Sequence, residues 1–250
     1  MGQKIKIALL INHVLFIYGI LYLFNLAALL YFAIGYVLIV KIGVECGYHR
    51  LFSHQSFQTG KIRKNLLLYC GSLAAVGPPL AWAGVHRIHH RFSDTDKDPH
   101  GQLPAYRVWL TLWRDFIVSP IYIRDLLRDK WQLFFFRHYF KILLASYVFL
   151  GLISPRALVF GFAGASVIGF HVAGLVNTVC HRWGKRDFDT NDQSYNNSWV
   201  NLLVGGNGLH NNHHANPSHW DYRFRKGEVD LQAHFIKWVL ILKPFVKDET

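Results

Sequence analysis

Cysteine is scarce in this 250-residue sequence, which contains only Cys46, Cys70 and Cys180. No two of them have the two-residue separation of thiolate zinc motifs, and three widely spaced cysteines do not make a disulfide framework. The sequence therefore indicates neither a cysteine-based zinc site nor a disulfide scaffold. We interpret the three thiols as small buried hydrophobic groups.

Acidic residues are also few, at 15 against 27 lysines and arginines, which gives a formal net charge of +12. Such an excess is typical of proteins that bind nucleic acid or an anionic membrane surface. The basic residues lie at the ends of apolar runs, as Lys4, Lys6 and Arg182 do, and this placement is that of cytoplasmic loops beside anionic lipid. We therefore expect membrane lipid, and no nucleic acid, as a partner.

Charged side chains are absent from residues 7–40. One helix of that length would be about 50 Å long, whereas the hydrocarbon core of a bilayer is about 30 Å thick. We therefore predict two spans that turn back near Asn25. A second apolar block, broken by SPRA at 154–157, predicts another hairpin. The four predicted spans are roughly 7–24, 26–43, 138–153 and 157–179.

The segment 66–83 is apolar as well, but glycines and the Pro78–Pro79 pair interrupt it. A crossing here would place the histidines before and after it on opposite membrane faces. We therefore predict an interfacial or re-entrant helix. The chain is then a single domain, residues 1–250, whose cytoplasmic cap comprises residues 44–137 and 180–250.

Histidine is abundant: the sequence has 15, and nine of them recur in short motifs near the ends of the predicted spans. Residues 86–90 and 210–214 share the spacing HxxHH, which puts three imidazoles on one face of an α-helix. We expect each motif to direct its three imidazoles to one point. His49 and His54 lie about 140° apart on an α-helix, which predicts a helix end or bend. The nine are His49, His54, His86, His89, His90, His181, His210, His213 and His214.

Imidazole is a ligand that suits iron, copper and zinc. Nine imidazoles exceed what one ion can bind, so the motifs predict two ions with four or five ligands each, in a redox-active centre. Asn177 lies one helical turn before His181 and is a candidate tenth contact, through water. The remaining histidines are interpreted as packed core residues (His13, His138, His171) or as loop and surface residues (His100, His219, His234).

A His-rich divalent-metal transporter or binding protein is an alternative of a different class. A transport pathway would need ionisable residues inside the spans. Apart from His13 and His171 the spans are nearly empty of them. The sequence therefore favours an enzyme.

The ordered set of histidine motifs resembles that of the membrane fatty acid desaturase family, most closely its acyl-CoA (stearoyl-CoA) branch. The resemblance covers nearly the whole chain. It includes RFSDTDKDPHG after the second motif, NTVCHRWG around His181, NDQSYNNSWVNLLVGGNGLHNNHHANP around the third motif, and EVDLQAHFIKWVLIL near the end.

The resemblance implies an all-α integral membrane protein with four transmembrane helices in two hairpins under a cytosolic helical cap. In the family, the nine motif histidines match the ligands of a di-iron site, Asn177 matches a water-mediated ligand, and Trp82 matches a residue that shapes the acyl tunnel. The implied activity is O₂-dependent desaturation of an acyl chain with two Fe²⁺ per chain. Hydroxylase, acetylenase and terminal-alkene-forming activities on the same scaffold remain alternatives.

Electrons for this reaction would come from a separate protein. The sequence contains no HPGG haem motif, GxGxxG fingerprint or iron–sulfur cysteine pattern. A ferredoxin, or a b-type cytochrome with its reductase, is therefore implied as the external electron donor. The fatty acyl substrate is left open between acyl-CoA, acyl carrier protein and lipid-bound chains, since Gly84–Val85 stands where animal acyl-CoA enzymes have Arg-Asp.

Two further departures concern carboxylates. The family usually has Glu where this chain has Asn207, whereas Glu45 stands one turn before His49, where a small or hydroxyl residue is typical. We hypothesise that Glu45 hydrogen-bonds a ligand imidazole and partly replaces the missing carboxylate. Three acids of the DTDKD segment, Asp94, Asp96 and Asp98, are expected to form turns and salt bridges to Arg91 or Lys97, and Arg50 and Arg87 are expected to pair with such acids.

Overall fold

Helices make up nearly all of the regular structure in this computed structural model, which describes residues 2–100, 117–241 and 243–244. Short 3₁₀ turns at Pro120–Ile123 and Leu126–Arg128 precede the fifth helix. In chain order the helices are α1 (Gly2–Tyr22), α2 (Leu26–Ser53), α3 (Lys61–Ser72), α4 (Pro79–Phe92), α5 (Lys130–Ile153), α6 (Ala157–Val179), α7 (Ser198–Val204), α8 (His210–Ala215) and α9 (Leu231–Phe235, continued by π-helical turns over Ile236–Leu240).

Four of these helices, α1, α2, α5 and α6, are long and apolar enough to cross a membrane. They form two hairpins at the predicted places. Asn25 caps α2 by accepting a hydrogen bond from the amide of Ala28 at 3.0 Å, and α5 ends at Ile153, just before the Ser154–Pro155 pair. The protein is thus an all-α, multi-pass membrane protein, as predicted.

Close helix packing gives the bundle its shape. A side chain at Gly35 of α2 would overlap the backbone of Gly161 in α6, so α2 needs a residue without a side chain where it crosses α6. Large apolar side chains cover the outside of the bundle: Leu21 is 67% exposed, Leu26 84% and Leu152 83%. Such surfaces suit lipid, because hydrocarbon does not penalise exposed leucine.

The apolar segment 66–83 forms no span. Helix α3 ends at Ser72 and α4 begins at Pro79, and neither helix has the roughly 20 residues that a span needs. Helix α3 packs along α2, where Gly43 and Gly71 bring the two backbones into contact. The hydroxyl groups of Tyr48 and Ser72 also lie 3.0 Å apart at this interface.

Helix α2 continues ten residues beyond the predicted end of the second span and carries the first histidine motif into the cap. From Tyr36 onward its hydrogen bonding is π-helical, and the amide of His54 donates to the carbonyl of His49, five residues earlier, at 3.2 Å. This wider turn brings the two rings to 5.0 Å between centroids. The predicted helix end after His49 is thus a π-helical turn, and α2 ends at Ser53.

The cap has its own apolar core, formed by residues from α2, α3, α4 and α9 such as Phe52, Leu67, Leu80 and Ile236. The short strands β1 (Phe57–Gln58) and β2 (Lys243–Pro244) pair antiparallel beside it. Residues 101–116 and 245–250 of the predicted cap lie outside the described residues.

Two arginines that follow motif histidines form ion pairs within the cap, but with acids other than those expected. Arg50 forms a fully buried pair with Asp230 at 2.9 Å, and Arg87 pairs with Asp125 at 2.7 Å. The expected pairing with acids of the DTDKD segment was wrong. Two of those acids, Asp94 and Asp98, contact imidazoles instead.

Candidate metal centre

Five imidazoles converge where α2, α4 and α8 meet. Their candidate ligand atoms all lie within 4.8 Å of one another. The Nε2 atoms of His49 and His213 are 3.0 Å apart, and those of His54 and His86 are 2.8 Å apart. We call this set the five-histidine group: His49, His54, His86, His90 and His213.

Four further imidazoles form a second cluster beside the first. Their candidate ligand atoms also lie within 4.8 Å of one another, and the Nε2 atoms of His181 and His210 are 3.0 Å apart. The rings of His90 and His214 stack at 4.3 Å between centroids, which joins the two clusters. We call this set the four-histidine group: His89, His181, His210 and His214.

Each HxxHH motif is divided between the two groups. His86 and His90 belong to the five-histidine group and His89 to the other, while His213 belongs to the first and His210 with His214 to the second. The expectation that each motif aims three imidazoles at one point was therefore wrong. Adjacent residues of a helix differ by about 100°, so the neighbours in each HH pair diverge toward two points.

Carboxylates hold the outer nitrogens of four of these imidazoles. The Nδ1 atom of His89 lies 3.0 Å from Asp98, that of His181 lies 3.0 Å from Asp94, and that of His214 lies 2.6 Å from Asp192. The Nδ1 atom of His49 lies 3.4 Å from Glu45. Each contact orients a ring with Nε2 toward its group, as carboxylates do for metal-binding histidines.

Asp94 and Asp98 thus contact imidazoles, where salt bridges to Arg91 or Lys97 were expected. Burial raises the pKa of Asp98, but the hydrogen bond from His89 and the charge interaction with that ring outweigh it and hold the pKa well below the usual range. Asp192 has a lowered pKa for the same reason, with His214 as the partner. All three acids contacting the four-histidine group are thus held as anions.

Several of the imidazoles are held neutral. Burial, followed by the charges of neighbouring imidazoles, keeps the pKa of His54, His86 and His90 well below the ordinary value. Burial lowers the pKa of His214 to about 4, although Asp192 opposes the shift. Neutral imidazole is the form that binds a metal ion.

Unpartnered nitrogen atoms test whether these residues fit a metal. In the described part of the chain, Nε2 of His89 and Nε2 of His214 are buried without a hydrogen-bond partner. Their Nδ1 atoms face carboxylates, so each Nε2 presents a lone pair to the group. Buried unpaired nitrogens cost free energy, and an ion within the four-histidine group would satisfy both. The donor set, nitrogen throughout, fits iron, copper or zinc.

A cavity of about 480 Å³ runs from the histidines into the membrane-spanning bundle. Trp82 lies in its wall and stacks on His86 at 5.0 Å between ring centroids, and Asn177 lies in the same wall as His210. Its other end lies between α1, α2 and α6, at Leu9, Val40 and Gly169. The volume is in the usual range for small-molecule sites, and most of the lining is apolar.

Glu45 and Asn207 meet at the edge of this cavity. The amide Nδ2 of Asn207 donates to Oε1 of Glu45 at 3.4 Å, while Oε2 of Glu45 lies 3.4 Å from Nδ1 of His49. This chain links the two positions by one hydrogen bond.

The other histidines lie outside both groups. His13 and His171 lie inside the bundle with their Nε2 atoms 3.1 Å apart. His138 packs on Phe134 within α5, and His219 and His234 lie in or near surface loops. His100, interpreted from sequence as a loop or surface residue, instead lines the cavity with its ring 5.1 Å from that of His89.

Sequence reasoning missed two features of the site. Asp192 was not singled out, and Asp94 and Asp98 were assigned the wrong partners. The signal available was their position beside a histidine motif: Asp98 follows His89 by nine residues, and a loop of that length returns to the same helix end.

Four apolar spans beneath two clusters of buried histidines define a membrane-bound metalloprotein with an apolar cavity at its metal centre. Comparison with known proteins gives the family. The sequence profile named Fatty acid desaturase matches residues 23–235. The chain belongs to the fatty acid desaturase family.

Several relatives match over most of their length. The chain is 36% identical over 228 residues to an sn-1 stearoyl-lipid 9-desaturase of Anabaena variabilis, covering 87% of this chain and 80% of that one. It is 35% identical to the sn-1 stearoyl-lipid 9-desaturase of a Synechocystis strain, covering 83% and 67%. An acyl-CoA C20 Delta5-desaturase of Anemone leveillei is 32% identical, covering 81% and 67%. The protein is a fatty acyl desaturase, an oxidoreductase of lipid metabolism, and the transporter alternative is set aside.

Proposed function

We propose that the two histidine groups each hold one iron ion and that the protein uses O₂ and external electrons to insert a double bond into an acyl chain. The observation that carries this proposal is the convergence of nine imidazoles in two adjacent groups at the end of an apolar cavity. Iron, when bound there, would supply the activation of O₂ that removing hydrogen from an unactivated methylene requires.

The chain's own residues would hold and position the reactants. The five-histidine and four-histidine groups would ligate the ions, with Asn177 as a further contact through water. Glu45, Asp94, Asp98 and Asp192 would fix the ring orientations. The overall reaction takes two hydrogens from adjacent methylenes and, with O₂, two electrons and two protons, yields a double bond and two waters.

The cavity would bind the acyl chain. Its apolar wall excludes water and would keep the chain extended from the histidines toward Leu9, Val40 and Gly169. Trp82 stacks on His86 and so forms wall directly beside the five-histidine group. Fixing one carbon pair beside the ions is what converts a strong oxidant into a selective one.

Electrons would come from a ferredoxin, or from a b-type cytochrome with its reductase. We place the cap and its metal centre on the cytoplasmic side, because the basic excess of this chain lies at the cap ends of the spans. An acyl-lipid substrate fits two of the relatives' names, and acyl-CoA fits another; the head group is assigned by the experiment that follows.

The test is the fatty-acid profile of a host that expresses the protein, separated into lipid, acyl-CoA and acyl carrier protein fractions. We expect a new monounsaturated chain with the wild type, none with His89→Ala, and an unchanged product with the matched control His234→Ala. A hydroxylated or acetylenic product would replace the proposed reaction by one of its same-scaffold alternatives. Absence of any oxidised acyl product in an iron-replete host would overturn the proposal.

A further inference from the structure

The carboxylates around the metal centre are unequally divided between its two halves. Among the described residues, three acids contact the four-histidine group: Asp98 through His89, Asp94 through His181 and Asp192 through His214. The five-histidine group has one such contact, from Glu45 to His49, and it is the longest of the four at 3.4 Å.

Two arginines that follow motif histidines of the five-histidine group are paired with other acids. Arg50, beside the five-histidine group, is neutralised by Asp230 in a pair whose side chains are both 0% exposed. Arg87, which follows His86, is neutralised by Asp125. The acids of these pairs bind arginines and contact no imidazole of either group in the described residues.

The four-histidine group is also more deeply buried than the five-histidine group. The imidazoles of the four-histidine group are all enclosed: His89 is 2% exposed, His210 is 2% exposed, and the side chain of His214 is 1% exposed. In the five-histidine group His54, His86 and His90 are only half-buried. An ion in the enclosed group is screened less by water, so each neighbouring anion acts on it more strongly.

We propose, resting on the proposed function, that the two metal positions are unequal: the four-histidine group is the tight position, filled first and emptied last, and the five-histidine group is the exchangeable one. A carboxylate that accepts from Nδ1 raises the basicity of the ligating Nε2 and adds negative charge near a dication. Losing one such partner typically costs about 10–100-fold in metal affinity. Two additional carboxylates outweigh the fifth imidazole of the other group.

The experiment is an equilibrium competition on the full-length protein in detergent. The protein is loaded with Fe²⁺ without oxygen, equilibrated against a graded series of a coloured Fe²⁺ chelator, and its retained iron is measured. The expected curve has two steps of one iron each. His54→Ala should abolish the step at low chelator concentration, and His181→Ala the step at high concentration.

Carboxylate variants identify the cause. Asp192→Asn, and independently Asp98→Asn should one variant not fold, should move the tight step by about 10–100-fold and leave the loose step in place. Glu45→Gln should move only the loose step. The matched control Asp189→Asn removes a carboxylate that is fully exposed, with a side-chain relative exposure of 108%, and should move neither step.

Three results would overturn the inference: a single step that releases both ions, the opposite assignment by the histidine variants, or an Asp192→Asn curve equal to that of Asp189→Asn. These outcomes differ from failure of the proposed function. In that case the wild-type protein would retain no stoichiometric iron at any chelator concentration, and no step could be assigned.

Discussion

Glu45 shows how one side chain adapts the site of this chain. The carboxylate bridges His49 and Asn207, at 3.4 Å to each, and its side chain is only 14% exposed. The contact with His49 agrees with the hypothesis that Glu45 hydrogen-bonds a motif imidazole. Glu45 would orient the imidazole of His49 from a position one turn earlier on the same helix, α2.

Replacing Glu45 with Gln tests that role. We expect the affinity of the five-histidine group for iron, and the turnover, to fall by about 10–100-fold, because the neutral amide holds the His49 ring less firmly and adds no charge. Iron per chain and product per hour, measured on the same preparation, check it. Iron content and turnover equal to wild type would show that the carboxylate is only a cavity-wall residue.

Buried neutral imidazoles also make the stability of the iron-free protein depend on pH. The unfolded chain binds protons at histidine near the ordinary pKa of about 6.5, whereas burial lowers the pKa of folded His214 to about 4 and keeps that of His54 and His86 well below the ordinary value. Between these limits protons bind mainly the unfolded chain.

We therefore expect the free energy of unfolding of the iron-free protein to be highest above pH 6.5 and to fall as the pH drops toward 4. Thermal unfolding in detergent after chelation, followed across that range, measures it. A melting temperature that stays level from pH 7 to pH 5 would contradict the neutral, buried state of these imidazoles.

At the scale of elements, the long apolar runs predicted two hairpins, whereas the histidine spacing did not predict how each HxxHH motif divides between the two groups. Long apolar runs and the polar residues Asn25 and Ser154 fix the hairpins, because hydrocarbon admits only hydrogen-bonded backbone. The division of each HxxHH motif between two groups depends on where α4 and α8 face each other. Pairs distant in sequence, such as His214 with Asp192 or Glu45 with Asn207, arise from packing that no local pattern records.

At the membrane end of the cavity, α1 and α6 are joined by buried hydrogen bonds. Asn12 of α1 donates to Ser166 of α6 at 2.9 Å, and Ser166 donates to the carbonyl of Ala74 at 2.7 Å. This buried polar contact lies one helical turn beyond Leu9, which is 4% exposed and lines the cavity. Leu9 thus forms part of the cavity's end wall.

A smaller side chain at Leu9 should let the cavity bind a longer acyl chain. For Leu9→Ala we expect the product profile to shift toward acyl chains longer by a few carbons, because the smaller side chain extends the cavity. Chromatography with mass spectrometry of total fatty acids measures the shift. Leu10→Ala is the control, since Leu10 is 58% exposed on the outside of α1; identical profiles from the two variants would rule out Leu9 as an end wall.

For the whole molecule, four spans put both hairpins under one cap, with the two ends of the described chain on the cap side. Basic residues predominate there, and we expect the cap to face the cytoplasm. A cysteine introduced at exposed Asp189 should react with a membrane-impermeant maleimide only after the cells are opened. Labelling of intact cells would reverse the orientation.

The most direct test of the account is the iron content of the purified full-length protein, measured by mass spectrometry against its amino-acid content. Histidines from all three motifs and His181 are proposed to hold two ions, so we predict two irons per chain in the wild type and none in a His54→Ala, His210→Ala double variant that still elutes as a folded protein. A wild type without iron, or a double variant that retains both ions, would contradict the claim that these imidazoles form the metal centre.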